Sequence, residues 1–443
     1  MMFHLLPRII LISPCASLSS KAPRETVWMR ALMIIVDGMA DRPIRKLGWK
    51  TPLEVADTPN MDHIAEMGSC GVFDPLGPGK RAGTDTATLA ILGYDPYKYY
   101  TGRGALEAAG AGIKLQPGDI AFRCNFATVD ENWRLINRTA GYINDGTDEL
   151  ERAINECIKL PDPDVDFIFK VSAGYRAALV FRRNAGNGAL SPAVSDVYCE
   201  KCGVPVPPAR PLEDSEGARK CAEFVNHFIR MAREVLREHP VNRERASRGL
   251  PPANFILVRG GSSCPSLESF ENKWGLRGAC IAGIGLIKGI AALTGMNVIN
   301  VKGATGYIDS DFMAKGKAAL DALRHYQFVI IHIEATDEVS HDGDFEKKIE
   351  VLERVDKMIG MLLDRVPEDT LFVLLSDHTT SSELGDHTAD PAPIAIAGPT
   401  VLSDHVRRFT EREVYLGRLG RINALDIMPI ILDYLNLSSK FGA

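Results

Sequence analysis

The sequence predicts an α/β fold in which a mostly parallel sheet lies between helices and a smaller α+β unit is inserted. Three continuous apolar runs rich in branched residues, each stopped by polar residues, predict buried parallel strands over 31–36, 328–333 and 371–376. An amphipathic pattern over 346–363 predicts a helix between the last two runs. Between 119 and 182 the strand patterns differ, because apolar and polar residues alternate along them. These patterns predict the second unit.

The two units divide the chain into a discontinuous core and an insert. We expect residues 31–109 and 277–443 to form the core domain, and residues 110–276 to form the inserted domain. Within the insert, strand patterns occur at 119–126, 167–171, 177–182 and 254–261, and a long helix is predicted from about 215 to 239. Residues 1–30 are expected to be a disordered leader outside the fold, because Pro7 and Pro14 interrupt a weak signal-like pattern.

Composition limits the classes of partner and the compartment. With 45% hydrophobic residues, 24% charged residues and a formal charge of −6, the chain gives no electrostatic reason to expect nucleic acid or an anionic membrane as a partner. Its nine cysteines are odd in number and have no regular spacing, which suits a reducing cytoplasm. Cys199 and Cys202 form a single CxxC pair, which we interpret as free thiols. The sequence leaves open whether the chain forms homo-oligomers.

Carboxylates and imidazoles follow the three predicted strands. The first run is followed by Asp37, the second by Asp337 and His341, and the third by Asp377 and His378. A single Asp after a strand is more often a helix cap, and a single His is more often structural. Because the ends of parallel strands share one sheet edge, three such ends favour a site for Zn²⁺ or Mn²⁺ that can hold a pair of ions. Two further histidines lie in this part of the chain, His332 and His387.

A glycine-flanked turn leads into a helix at Thr84. Its hydroxyl is expected at the helix amino end, where free N–H groups favour an anion. The residue is therefore either a helix cap or a nucleophile. Beside a divalent cation the second role is favoured, because a metal-bound hydroxyl loses its proton near neutral pH.

Several motifs together resemble those of the cofactor-independent phosphoglycerate mutases of the archaeal type, which belong to the alkaline phosphatase superfamily. The motifs occur in order from about residue 33 to residue 443, and they lie at 36–43, 83–87, 93–96, 101–104, 121–126, 241–245, 335–337, 341–344 and 377–387. The resemblance implies an alkaline-phosphatase-like core with an inserted substrate-handling domain.

The resemblance also implies a metal-dependent phosphotransfer reaction. One ion would be held by Asp37, Thr84, Asp377 and His378, and the other by Asp337, His341 and His387. The family usually binds Mn²⁺ or Mg²⁺, and Zn²⁺ or Co²⁺ can take their place. The reaction does not need 2,3-bisphosphoglycerate as a cofactor.

The substrate implied is a small phosphorylated acid, 3-phosphoglycerate. Thr84 would take its phosphoryl group and return it to the other hydroxyl, giving 2-phosphoglycerate. The substrate phosphate and carboxylate would be bound by basic side chains, for which the candidates are Arg103, Arg123, Arg259 and Lys288.

The chain departs from the family pattern at several positions. The family usually has Ser in place of Thr84, His in place of Thr88 and His in place of Tyr175. It commonly has Arg at the positions of Thr139 and Tyr142. These differences leave two alternatives open: a phosphatase, phosphonate hydrolase or mutase acting on another small phosphorylated acid, and a non-catalytic metal-binding relative.

Overall fold

The structure is a computed structural model that describes residues 29–184, 188–440 and 442. The predicted leader over residues 1–30 therefore falls almost entirely outside the described residues. Within the described ranges, no helix combines the length and apolarity that crossing a bilayer requires.

The strands occur in two groups along the chain, and their bounds are as follows. They are β1 (Arg30–Val36), β2 (Ser69–Asp74), β3 (Ile120–Val129), β4 (Leu135–Asn137), β5 (Val165–Ala173), β6 (Arg176–Arg183), β7 (Phe255–Ser263), β8 (Gly278–Ile281), β9 (Asn297–Val298), β10 (Phe328–Ile333), β11 (Thr370–Leu375), β12 (Thr379–Ser381), β13 (Asp386–Thr388), β14 (Ala392–Ala397) and β15 (Gly420–Asn423).

Helices connect most of these strands. They are α1 (Pro52–Val55), α2 (Pro59–Met67), α3 (Thr84–Ile91), α4 (Pro96–Tyr99), α5 (Arg103–Gly110), α6 (Thr147–Cys157), α7 (Glu216–Arg237), α8 (Pro240–Ser247), α9 (Phe270–Trp274), α10 (Gly285–Leu293), α11 (Phe312–Ala322), α12 (Ala335–His341), α13 (Phe345–Leu363), α14 (Glu411–Val414) and α15 (Ile427–Tyr434). The predicted helices over 346–363 and about 215–239 are confirmed by α13 and α7.

The larger sheet has eight strands in the order β15-β2-β14-β11-β1-β10-β8-β9. Only β14 runs against its neighbours, so the prediction of a mostly parallel sheet is confirmed. The three apolar runs became β1, β10 and β11, and β1 lies between the other two. All three strands are almost wholly buried, because helices cover both faces of the sheet.

The smaller sheet is antiparallel and contains β4, β3, β6 and β5 in that order, with β7 on the other edge of β3. Helices α6 and α7 cover it, and a separate hydrophobic core lies beneath them. The α/β fold class with a smaller α+β unit is therefore confirmed. The division at residues 110 and 276 stays a prediction.

Helices α5 and α10 join the two units through close backbone contact. A Cβ atom on Gly110 would lie 1.9 Å from the carbonyl oxygen of Gly285, and one on Gly289 would lie 1.8 Å from that of Leu106. Only glycine permits this approach. Since α5 also packs on β3, β6 and β7, it fixes the smaller sheet against the edge where the strands of the larger sheet end.

Candidate metal centre

The carboxyl ends of β1, β10 and β11 lie level with one another. Val36 is opposite Ile333, and Ile35 is opposite Leu375. The residues that follow these positions therefore meet at one sheet edge. Helix α12 begins directly after β10 and carries Asp337 and His341 on one face, as their four-residue spacing predicted.

One cluster forms around Asp37, Asp377 and His378. The Nε2 atom of His378 lies 3.2 Å from Asp37 Oδ1 and 3.4 Å from Asp377 Oδ2. All three side chains are buried. The Thr84 Oγ1 atom reaches the same cluster, 3.2 Å from His378 Nε2 and 3.4 Å from Asp37 Oδ1. The structure thus brings together four residues from three distant parts of the chain.

A second cluster forms around Asp337, His341 and His387. The two imidazole Nε2 atoms are 3.1 Å apart, and each lies 3.4 Å from an oxygen of Asp337. The ring of His378 stacks on that of His387 with a centroid distance of 3.9 Å. His378 therefore lies between the clusters, and its donor atoms are close enough to join either one.

Backbone carbonyls orient the imidazoles of the second cluster. The Nδ1 atom of His387 lies 2.7 Å from the carbonyl oxygen of Ala82. The Nδ1 atom of His341 lies 2.8 Å from the carbonyl oxygen of Gly385. Nδ1–H then donates to each carbonyl, so the Nε2 lone pairs point into the cluster. Thr380 supports both clusters, because its Oγ1 is 2.6 Å from Asp337 Oδ1 and 3.1 Å from His378 Nδ1.

The spacing of these donor atoms fits bound cations. Donors that bind one ion at about 2.0 to 2.2 Å lie about 3.0 to 3.5 Å from one another. The distances between ligand atoms within the two clusters are 3.2 Å and 3.4 Å in the first, and 3.1 Å and 3.4 Å in the second, all in that range. Lone pairs and carboxylates held this close repel one another unless a proton or a cation lies between them. The Oδ2 atom of Asp377 is buried and has no hydrogen-bond donor within the described residues, which also fits a metal ligand.

The electrostatics of the first cluster indicate a deficit of positive charge. Burial raises the pKa of Asp377 to about 7, and the nearby Asp37 carboxylate adds to this effect. Burial and the neighbouring carboxylates of Asp337 and Glu334 raise the pKa of Asp37 well above its ordinary value. Burial also acts to raise the pKa of Asp337, but the adjacent imidazoles of His341 and His387 hold it well below its ordinary value. A divalent cation would stabilise the ionised forms of the buried carboxylates.

Thr84 is the first residue of α3, and Gly83 precedes it as the N-cap. The hydroxyl of Thr86, not that of Thr84, hydrogen-bonds the backbone of Gly83. The capping alternative for Thr84 is therefore wrong in this structure. Its hydroxyl instead faces Asp37 and His378 at the edge of a cavity.

That cavity has a volume of about 390 Å³ and lies between the two sheets. Its lining includes Thr84, Asp37 of the first cluster, all three residues of the second cluster, and the basic residues Arg103, Arg123 and Arg176. Arg103 and Arg123 share the carboxylate of Glu107, with Nε to Oε1 distances of 3.2 Å and 3.5 Å. Three guanidinium groups line the cavity and two of them share one buried carboxylate, so this part of the cavity is suited to an anionic ligand.

The other two basic candidates do not line the cavity. Arg259 lies opposite Arg123 in the smaller sheet, and its guanidinium stacks on the ring of Tyr198 at 4.4 Å. The ammonium of Lys288 donates to the side-chain oxygen of Asn300 at 3.0 Å. Their substrate-binding role stays a prediction, as do the roles of Arg103 and Arg123.

A family model and proteins of similar sequence agree on the relatives of this chain. A family model described as Metalloenzyme superfamily matches residues 29–434. The 2,3-bisphosphoglycerate-independent phosphoglycerate mutase 1 of Methanothermobacter thermautotrophicus is 49% identical over 416 residues, which cover 94% of this chain and 100% of that protein. The chain belongs to the 2,3-bisphosphoglycerate-independent phosphoglycerate mutase family. The predicted resemblance is thereby confirmed.

Solved structures agree with this family. A protein structure from Pyrococcus horikoshii is 37% identical with a TM-score of 0.79, and the match covers 94% of this chain and 99% of that one. A cofactor-independent phosphoglycerate mutase from Thermoplasma acidophilum is 32% identical with a TM-score of 0.66, covering 92% and 100%. The fold of this phosphoglycerate mutase family member is therefore shared along nearly the whole described chain.

Sequence reasoning missed several residues of the site in this family member. Arg176 lines the cavity, and the only sequence signal was its place beside Tyr175 at a position where the family has a basic pair. Glu107 lies inside a helix, so no local pattern marked it. Glu334 follows β10 directly, as Asp37 follows β1, so the strand-end rule would have found it.

Glu334 belongs to a buried ion network behind the clusters. Lys315 donates to Glu334 at 2.9 Å and to the carbonyl oxygen of His332 at 2.8 Å. The Nδ1 atom of His332 lies 3.3 Å from Glu334, and its Nε2 atom lies 3.8 Å from Asp37. The network places one fixed positive charge within reach of the strand ends, and it explains why His332 is buried without joining either cluster.

Proposed function

We propose that this protein interconverts 3-phosphoglycerate and 2-phosphoglycerate through a phosphothreonine on Thr84. The observation that carries the proposal is the position of the Thr84 hydroxyl, which contacts the first cluster and lines the same cavity as three arginines. Membership of the phosphoglycerate mutase family supports the choice of substrate. The hydroxyl and the arginines line one cavity, so a bound anionic substrate could contact both.

Two divalent ions would complete the site. Asp37, Thr84, Asp377 and His378 would hold one, and a second set would hold the other, namely Asp337, His341 and His387. When bound, such ions favour the ionised form of a coordinated hydroxyl and stabilise charge on phosphoryl oxygens. We propose Mn²⁺ or Mg²⁺, since hard oxygens make up much of the donor set, with Zn²⁺ or Co²⁺ as substitutes. No 2,3-bisphosphoglycerate is needed, because Thr84 itself carries the phosphoryl group.

The reaction consists of two in-line displacements. Thr84 Oγ1 loses its proton and forms a bond to phosphorus while the bond from phosphorus to the C3 oxygen of the substrate breaks. That C3 oxygen takes up a proton to give glycerate. Glycerate then presents its C2 hydroxyl, which loses its proton as its oxygen bonds to phosphorus. The bond to Thr84 breaks, and Thr84 regains a proton.

The arginines would bind the substrate and stabilise its transition states. Arg103, Arg123 and Arg176 can each offer a two-pronged contact to a phosphoryl or carboxylate group. Burial lowers the pKa of Arg123 to about 10, although Glu107 opposes this shift, and the group stays charged at neutral pH. Arg259 would act from behind Arg123 through charge alone, and Lys288 would act only if it left Asn300.

The test is product analysis with 3-phosphoglycerate and Mn²⁺. Formation of 2-phosphoglycerate without free phosphate is expected, and mass spectrometry of acid-quenched protein should find phosphate on Thr84. Thr84→Val, which keeps the shape but removes the hydroxyl, should abolish both. Thr84→Ser is the matched control and should keep activity. Full turnover in Thr84→Val would show that Thr84 is not the nucleophile.

A second function is favoured by one specific observation. A second cavity adjoins the reaction cavity, and it is lined by Tyr142 and Tyr175 at positions where the family commonly has Arg and His. A phosphatase, phosphonate hydrolase or mutase on another small phosphorylated acid would use the same Thr84 chemistry. Release of free phosphate from 3-phosphoglycerate by the native protein, with no 2-phosphoglycerate, would support this second function over the first.

A further inference from the structure

A cavity of about 520 Å³ lies at the mouth of the reaction cavity, and we call it the mouth cavity. One side belongs to the smaller sheet and the other to the larger one; its lining includes Tyr142, Tyr175, Arg176, Tyr307, Glu338 and Asp342. Arg176 and Glu338 line both cavities, so the two spaces adjoin each other at these side chains.

Tyr142 projects into this space from an unusual turn. Ala140, Gly141 and Tyr142 all have left-handed φ angles, of 47°, 65° and 55°, a conformation that is unfavourable for the two non-glycine residues. The side chain of Asn137 holds the turn by accepting hydrogen bonds from the backbone of Thr139 and Gly141, both at 2.9 Å. The turn is thus built to keep one conformation even though that conformation is costly.

A second anchor fixes the turn from outside. Arg245 donates to the carbonyl oxygen of Ala140 at 2.7 Å, and Ala140 itself is fully buried. Tyr142 in contrast is 76% exposed. A large aromatic ring is therefore exposed to solvent on a fixed turn, where it gains little from burial of its apolar surface.

The ring of Tyr142 rests on other side chains of the mouth. Its centroid is 5.8 Å from that of Tyr175, with an edge-to-face angle of 83°. The guanidinium of Arg176 lies 5.4 Å from the ring of Tyr175 and donates from Nε to its hydroxyl at 3.3 Å. Tyr142 is consequently linked through Tyr175 to one of the three arginines that line the reaction cavity.

The opposite side of the mouth offers a matching surface. Tyr307 is 37% exposed and donates its hydroxyl hydrogen to Asp342. Gly306 precedes it and also lines the cavity. Two tyrosines on one side thus face a third across a space that is otherwise open to water.

We propose that Tyr142 determines whether the phosphoryl group on Thr84 returns to glycerate or goes to water. The inference rests on the proposed phosphothreonine chemistry. In the mutase outcome a glycerate oxygen bonds to phosphorus, the Thr84 oxygen leaves with a proton, and phosphoglycerate results. In the hydrolytic outcome a water oxygen takes that place, giving inorganic phosphate, free glycerate and Thr84. The Tyr142 ring lies edge-to-face on Tyr175 beside Arg176 and narrows the space next to the reaction cavity, which favours return of the phosphoryl group to glycerate over attack by water.

The test compares variants that remove or keep the ring. Tyr142→Gly removes it and suits the left-handed backbone, so folding should be preserved. The ratio of free phosphate to 2-phosphoglycerate formed from 3-phosphoglycerate should rise by about tenfold or more, while consumption of 3-phosphoglycerate changes by less than about threefold. Tyr142→Phe keeps the ring and should give the native ratio.

A matched control uses a tyrosine of similar exposure elsewhere. Tyr97 is 69% exposed and lines a different cavity, so Tyr97→Ala should leave the product ratio unchanged. If the native protein makes 2-phosphoglycerate but Tyr142→Gly gives the native ratio, the inference about Tyr142 is overturned and the proposed function stands. If the native protein makes no 2-phosphoglycerate, the proposed function fails and the inference fails with it.

Discussion

Replacement of Lys348 by methionine tests how the ligand-bearing loops are held together. The ammonium group is fully buried and has three acceptors: the carbonyl oxygens of Ala40 and Thr380 at 3.2 Å and 2.9 Å, and Asp41 Oδ2 at 3.0 Å. It therefore joins the loop after β1, which carries Asp37, to the segment that follows His378. Methionine has a similar volume, so the packing is kept while the charge and all three hydrogen bonds are lost.

The expected loss of stability follows from these contacts. Removing one partner of a buried ion pair costs about 3 to 5 kcal/mol, since the other charge is left without compensation. Asp41 keeps three other donors, namely the backbone and hydroxyl of Ser382 and the backbone of Arg42. We therefore expect the lower end, about 3 kcal/mol. The double variant Lys348→Met with Asp41→Asn removes both charges and should recover part of this loss.

The assays are urea unfolding followed by circular dichroism, and metal binding by titration calorimetry. Thr380 links Lys348 to the metal centre, because its hydroxyl donates to Asp337. The Lys348→Met variant should therefore bind metal about 10 to 100 times more weakly than the native protein. A loss of less than about 1 kcal/mol, with native metal affinity, would refute the view that this ion pair sets the spacing of the loops.

Two other changes give separate predictions. His387→Ala should abolish turnover and lower the metal content from two ions per chain to one. The circular dichroism spectrum should be kept, because the ligand lies on the short strand β13 of a two-stranded sheet and not in a hydrophobic core. The exposed His325→Ala is the control, and full activity in His387→Ala would contradict the ligand assignment. Burial raises the pKa of Glu411 to about 7 from an ordinary value of 4.5, so the folded state binds the Glu411 proton more tightly than the unfolded state. The stabilisation of the folded state by this proton is fully present below pH 4.5 and is lost as pH rises to about 7. Glu411→Gln should then be more stable than the native protein by about 1 to 3 kcal/mol at pH 8 and equal to it near pH 4, and urea midpoints that shift in parallel at both pH values would contradict this.

The sheet could be predicted because its signal is local. A strand buried on both faces must be apolar at every position, so the runs that became β1, β10 and β11 were visible without knowledge of their partners. The register was not visible, because nothing in one apolar run specifies which neighbour lies beside it. The strand order, with β1 between β10 and β11, comes from packing of the whole chain.

The same distinction applies to the residues of the site. Asp37, Asp337 and Asp377 could be found because they follow strands, and a strand end has a recognisable sequence. Glu107 and Arg176 could not be assigned this way, because they reach the cavity only when α5 and the smaller sheet are fixed against α10. That contact depends on the absence of side chains at Gly110 and Gly289, which leaves no pattern that local reasoning detects.

The sequence by itself determined the α/β class, the strand-end carboxylates and histidines, and the family, since each depends on residue types in short segments or on their order along the chain. Tertiary structure alone decided that Thr84 faces the clusters instead of capping its helix, that His378 lies between them, and that Tyr142 stands at the mouth. These facts depend on distances between atoms far apart in the chain, and such distances are set by the packing of the two units against each other.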